Sequence, residues 1–483
     1  MQDASPEPLD AARAGEKALR GGALRSGGYA ATVLLSLISA PLVIRHLGVE
    51  EFGVFVTITA LVTVASGVSD LGLTSIGTRE WAQRPAGDRR GLLADLLGAR
   101  LVLTTLALTG AFAFGLAAGY DGERMAGVAV AGAGLVVLAV QQSLTVPLAA
   151  RLQQGRIAAA DVVRQAVQVV CIVGFVLAGA GLVPLLATAI PAALVAALVT
   201  AAGARDALVA PALHVRRWWA MLRDALPFAA ASALSVVYLR ATVLLTSLVA
   251  TEAATGEFSI AFRVLEVLIN VPALVVGALF PLLARAAVTD AERLRTALGR
   301  TWAGAVAVGG VAAVGVAAGA PLAVLALAGE RPDGAVDALR ILAAGLGLSF
   351  VGAACQYGLL AARHHREILL INAAALTLNV VLTLLLADAH GAVGAAIALT
   401  ACELLIAVLS SVLLVRRTAM TLPLAHALRV AGAIAVGAAV AVAAATLGIV
   451  AEALLAPAAC LAAALALRAV PHELLALARR SPA

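Results

Sequence analysis

The chain has 483 residues, of which 62% are hydrophobic and 13% charged, with a formal net charge of +6. A soluble domain is nearer half apolar and a quarter charged, so this composition excludes a water-soluble fold and points to lipid. Of 34 basic residues only Lys17 is a lysine; the apolar region therefore holds no G-x-x-x-x-G-K-[ST] loop, which excludes an ATP-driven pump acting alone, and the arginines sit in short loops with almost no aromatics among them, which argues against a nucleic-acid footprint.

The first 22 residues are polar and show no short apolar core with a small-residue cleavage site, so no removable signal is expected. A helix needs about 20 apolar residues to cross the hydrocarbon core. On that measure, helical spans are predicted at 27–45, 53–74, 92–119, 125–149, 161–180, 183–203, 226–249, 258–283, 302–328, 336–362, 367–387, 391–415, 429–449 and 451–470. Barrel strands would alternate over about ten residues, which these runs do not. The expected fold is all-α and polytopic, with two six-helix lobes and a C-terminal helix pair. Its expected segments are a polar N-terminus (1–22), an N-lobe (23–204), an interfacial linker (205–225), a C-lobe (226–417), helices 13 and 14 (418–472) and a tail (473–483).

Arginine marks alternate links. With the N-terminus inside, 28 basic residues fall on inner links and four (Arg45, Arg124, Arg331 and Arg340) on outer ones, while Arg240 and Arg263 lie within spans. By the positive-inside rule both termini are expected in the cytoplasm. The outer links are short, as in Tyr120-Asp-Gly-Glu-Arg124 and Ala387-Asp-Ala-His390. None has room for a catalytic domain, and no catalytic residue, cofactor or metal site is expected. The longest inner link, 205–225, carries Trp218-Trp219 beside Arg216-Arg217 and reads as an interfacial helix. Cys171, Cys355, Cys402 and Cys460 lie in apolar runs without C-x-x-C spacing, which fits packing better than metal or disulfide chemistry. His364-His365 reads as a solvated pair in an inner turn.

A repeat relates the halves. Aligning Gly53 with Gly256 also aligns Phe55 with Phe258, and Leu97-Gly-Ala-Arg100 then faces Leu298-Gly-Arg300 at nearly the same offset. Both copies start inside, so the repeat is parallel, an arrangement found in alternating-access carriers.

Ala40-Pro-Leu-Val-Ile-Arg-His-Leu-Gly-Val-Glu-Glu-Phe-Gly-Val-Phe55, Ser69-Asp-Leu-Gly-Leu73 and Arg79-Glu80 resemble the opening of polysaccharide (oligosaccharide) flippases. Leu226-Pro227, Thr255-Gly-Glu-Phe-Ser-Ile-Ala-Phe-Arg263, Phe280-Pro281, Ala338-Leu-Arg-Ile-Leu342, Ala361-Ala-Arg363, Asn372, Asn379 and Gly391-Ala-Val-Gly-Ala-Ala396 continue the pattern, which covers 22 to 417. The resemblance implies the multidrug/oligosaccharidyl-lipid/polysaccharide exporter superfold. It implies translocation of a polyprenyl-diphosphate-linked saccharide across the bacterial cytoplasmic membrane. Many members carry an aspartate just after the arginine of span seven; here that position is Thr242.

Charges inside spans are expected to face a cavity or a partner. Arg240 and Arg263 suit a diphosphate, because a guanidinium holds phosphate oxygens bidentately and keeps its proton. Arg263, Glu266 and Asn270 share one helix face, so the first two are either site residues or a self-neutralising pair. Glu266, Glu403 and Asp70 are candidates for coupling H+ or Na+, with a helix contact as the alternative for Glu403 and a helix stop for Asp70. Gln356 and Asn379, like Gln141-Gln142, either line a sugar path or bond between helices. Pro41, Pro147, Pro272 and Pro281 are either bend points or ordinary membrane-helix prolines. The expected function is a lipid-linked oligosaccharide flippase serving surface polysaccharide synthesis. Its partners would be that substrate, membrane lipids, and a polymerase and glycosyltransferases. A cation-coupled multidrug exporter on the same superfold is the alternative.

Overall fold

The computed structural model describes residues 8–218, 238, 240–277 and 279–469. The described residues are helical with short connections, and eleven helices among them are long and apolar enough to cross a membrane. Leu226-Pro227, Trp219 and the start of span seven lie outside the described residues.

Helix α1 runs Pro8–Asp70 and is broken at Gly48, whose φ of 77° suits a residue without Cβ. It carries the first two predicted spans. Leu71 and Gly72 then adopt positive φ, and α2 (Leu73–Gln83) begins. This helix was not anticipated, because its sequence is too polar to span. It is amphipathic, burying Leu73, Ile76, Gly77 and Trp81 at helical spacing. The first unit continues with α3 (Arg89–Ala117), α4 (Gly122–Ala150) and α5 (Gln154–Leu177). It closes with α6 (Leu182–Ala187) and α7 (Ala189–Gly203). Helix α4 is its axle, packing on α2, α3, α5, α6 and α7.

The link at 205–218 is not one interfacial helix. A single 3-10 turn at Arg205–Ala207 leads into extended chain, with helix resuming only at 215. The extended part lies on α3, where Ala212 N donates to Ala94 O at 2.9 Å. Gly98 permits this approach, since a Cβ there would be 2.0 Å from Ala212 O.

Span seven is described as α8 (Arg240–Val249). Span eight is α9 (Glu252–Leu268) followed by α10 (Val271–Gly277), with α11 (Phe280–Thr289) after it. Pro272 and Pro281 sit in the first turns of α10 and α11, where a missing N–H costs nothing. Pro41 and Pro147 lie inside α1 and α4. Then come α12 (Ala291–Ala328), α13 (Asp333–Ala361) and α14 (His365–Thr418). Helix α14 is broken at Gly391, φ 54°, and holds spans eleven and twelve. Here α13 is the axle, packing on α9, α10, α11, α12 and α14. The axles are spans four and ten, six apart, as a parallel repeat requires.

The C-terminal pair, α15 (Leu424–Ala445) and α16 (Ile449–Ala466), packs on α12 through small residues. Ala307, Val314, Ala318, Ala433, Ala456, Cys460 and Ala464 are buried there together. Arg340 on α13 reaches the buried Glu452 of α16 at 3.2 Å. All four cysteines are free thiols, three of them buried. His364 lies 3.3 Å from Glu367, which Arg417 also contacts at 3.0 Å.

The contact-defined division falls between Arg240 and Ala241, with the hairpin Gly48–Gly53 counted in the second unit. Gly256 of α9 lies against that hairpin, since a Cβ on it would be 1.9 Å from Val49 O.

Candidate functional site

The richest polar constellation lies inside the first unit. A cavity of about 550 Å³ opens between α1, α2, α4 and α5. A second of about 320 Å³ shares Thr63, Ser66, Leu138 and Arg164 with it. The two cavities are neighbours that share this wall.

Each wall follows from helical spacing. Helix α1 contributes Thr59, Thr63, Ser66 and Asp70 along one stripe. Thr59 and Thr63 donate to backbone carbonyls of their own helix at 2.9 and 2.7 Å, leaving oxygen lone pairs toward the cavities. Helix α4 contributes Gln141, Gln142 and Thr145. Helix α5 contributes Asp161, Arg164 and Gln168, three and four residues apart. Arg25 approaches Asp161 at 3.9 Å, and half of its side chain is exposed. Gly28 lets α1 close on α5, its Cβ position being 2.8 Å from Ala158 Cβ.

The floor is a buried ion pair. Arg100 of α3 is 1% exposed and donates to Asp70, to Thr74 Oγ1 at 2.7 Å and to Ser143 Oγ at 3.4 Å. Asp70 also accepts from Thr74 Oγ1 at 2.5 Å and Thr74 N at 3.4 Å. It therefore ends α1, starts α2 and faces the cavity, all with one carboxylate. A buried charge is tolerable only with such partners.

The other expected site residues fall elsewhere. Arg240 is half-buried at the start of α8, the last residue of the first unit. In the second unit Arg263 and Glu266 pair at 2.7 Å, and Asn270 is exposed at the break after α9. Gln356 donates to Asn372 at 3.0 Å. Asn379 is fully buried; it exchanges bonds with Thr242 at 3.0 and 3.1 Å and accepts from Thr383 at 2.8 Å. Asn379 thus ties α14 to α8 through Thr242 and keeps one Nδ2–H donor besides. Glu403 is half-buried on α14, beside Cys402. Of the expected residues, Asp70, Gln141 and Gln142 line the larger first-unit cavity.

Arg25, Asp161, Arg164 and Gln168 were not anticipated as site residues. Arg25, Arg100 and Arg164 had been counted with the inner links. The available signal was that 92–119 and 161–180, read as spans, already contained Arg100 and Arg164.

A family profile described as "Polysaccharide biosynthesis protein" matches residues 18–287, over half the chain. A search of curated protein sequences finds no match. Among solved structures, "Lipid II flippase MurJ, inward closed conformation" superposes with a TM-score of 0.74 at 11% identity, covering 91% of this chain and 98% of that one. An inward-facing multidrug resistance MATE family transporter of the MOP superfamily gives 0.59 at 17% identity, covering 80% and 94%. The eukaryotic MATE transporter AtDTX14 gives 0.55 at 15%, covering 83% and 98%. At these identities the likeness is one of fold, shared by flippases and drug exporters. The cavities, the parallel axles and the profile agree: this chain is a multi-pass membrane protein of the polysaccharide biosynthesis family.

Proposed function

We propose that this protein flips a polyprenyl-diphosphate-linked oligosaccharide across the bacterial cytoplasmic membrane by alternating access, feeding surface polysaccharide assembly. The observation that carries the reading is Arg164. It stands ten residues inside α5 and lines both cavities, with Arg25 lining the larger. A diphosphate needs fixed cations along its route, and arginine supplies them without losing charge. Threonine, serine and glutamine along the same walls suit sugar hydroxyls. Arg240 and Arg263 are further contacts on this reading, while Asp70, Glu266 and Glu403 are the carboxylates to test for H+ or Na+ coupling. The arginine asymmetry supports cytoplasmic termini, with the larger cavity loading from that side.

The second reading, a cation-coupled multidrug exporter, draws on Asp70 and Asp161 in the same cavity. Both already face arginines, Arg100 and Arg25 respectively, which leaves little field for a cationic drug.

The test is surface polymer export in cells whose own flippase is deleted. Arg164→Ala is expected to abolish export while the protein stays inserted at normal level. Normal export by that variant, or drug resistance lost in its place, would overturn the reading.

A further inference from the structure

A third, open cavity, of about 580 Å³, lies apart from those two, bordered by α2, the turn at Ala86–Asp88, the start of α3 and the 205–218 link. Arg79 and Arg84 enter it from α2 and Arg217 from the link. We propose that this cavity binds a phosphate group, the phosphodiester of an anionic membrane lipid or a free phosphate.

The lining is mixed, so the bonding decides. Glu80 is shared between Arg79 at 3.5 Å and Arg84 at 3.4 Å. Asp95, 5% exposed, already receives His214 Nδ1 at 2.7 Å as well as Arg217 at 3.5 Å. The three arginine contacts are loose and single, whereas His214 holds Asp95 closely. A guanidinium carries five N–H donors, so each arginine keeps most of them for a ligand. The two carboxylates are thereby occupied as anchors, holding three guanidiniums around one space. Asp88 also lines the cavity and makes no side-chain cap on α3. Gly91 in the first turn of α3 leaves room, since a Cβ there would meet nothing within 4 Å. The positive end of a 29-residue helix adds to the attraction for an anion.

Depth favours a lipid source. Trp81 and Trp218 are buried in the cluster beside this cavity, and the positive-inside count puts this arginine-rich corner at the cytoplasmic headgroup level. The link is fixed there by the Ala212–Ala94 bond, so Arg217 is held in position. A phosphate bound by all three arginines would tie the link to α2.

The experiment uses the purified full-length chain in neutral detergent and reads its unfolding temperature. Phosphatidylglycerol is added against phosphatidylcholine, and sodium phosphate against sodium chloride at equal ionic strength. Phosphatidylglycerol is expected to raise the transition, and phosphatidylcholine is not. Removing two charge-assisted partners in an Arg84→Gln/Arg217→Gln variant should weaken this binding about tenfold or more. Gly91→Leu fills the same space without touching an ion pair, and it carries the test should the double variant fail to fold. A shift with lipid alone assigns the site to a headgroup; an equal shift with inorganic phosphate assigns it to the free ion. No shift with either, an equal shift with phosphatidylcholine, or a shift that survives in Gly91→Leu overturns the proposal.

Discussion

The two units share one plan and use polar groups differently. In the first, Arg100 lies fully buried beneath a charged cavity; its repeat counterpart in the second, Arg300, is exposed. In the first, α4 and α5 present glutamines, an aspartate and an arginine to a cavity. In the second, the corresponding α13 and α14 join Gln356 to Asn372 and lock Asn379 onto α8. At corresponding places, one unit thus turns charged side chains toward a cavity and the other ties its helices with neutral amides. Backbone geometry is inherited by both copies, whereas the chemistry of a face changes with a few side chains.

The largest expected effect tests that contrast directly. Arg100→Ala removes a fully buried side chain and leaves Asp70, itself about one third exposed, without its cation; it should cost about 2–3 kcal/mol, read as thermal unfolding in detergent. Arg300→Ala should stay within about 0.5 kcal/mol. Equal losses would erase the distinction between the units.

Asn379→Ala comes next, at about 1–3 kcal/mol, because it strands Thr242 and Thr383 in a buried site. Export per folded molecule should be preserved. A specific loss of export at normal stability would return Asn379 to the substrate path.

Coupling gives a smaller, conditional effect. Asp70→Asn, Glu266→Gln and Glu403→Gln are to be compared for the dependence of export on H+ or Na+ gradients. The carboxylate that couples should make export indifferent to its ion. If none of the three does so, the coupling residue lies elsewhere.

The smallest effect concerns orientation. A cysteine placed at Ala210, in the docked link, should resist an impermeant thiol reagent applied to intact cells. Labelling from outside would invert the topology and move the loading side of the cavity.

Much of this fold was legible because lipid imposes a simple rule on length and loop charge. The break at Gly48 falls between the first two predicted spans, and the break at Gly391 falls on the first residue of span twelve. Helix α2 was missed because an amphipathic helix of 11 residues resembles a polar loop when only mean hydropathy is read. The site was far less legible. Arginine near a helix end can snorkel to the interface, so Arg100 and Arg164 read as loop cations. Helix α5 begins at Gln154, well before the predicted 161, which puts Arg164 three turns deep. Residues that stand out by rarity, such as Arg263 and Glu266, pair with one another one turn apart, in the second unit.

The seam beneath α15 and α16 bears on how such proteins gain or lose terminal helices. Gly310 on α12 accepts Val430 and Ile434, and Gly437 meets Cys460 so closely that a Cβ would stand 2.7 Å away. Cutting the chain after 418 would expose a row of small residues carved to fit absent neighbours, and would orphan Arg340 from Glu452. Such a surface invites another helix. A shortened protein would therefore emerge adhesive, prone to capturing a second copy of itself, and an ancestor that acquired the pair would have had to reshape α12 at the same time.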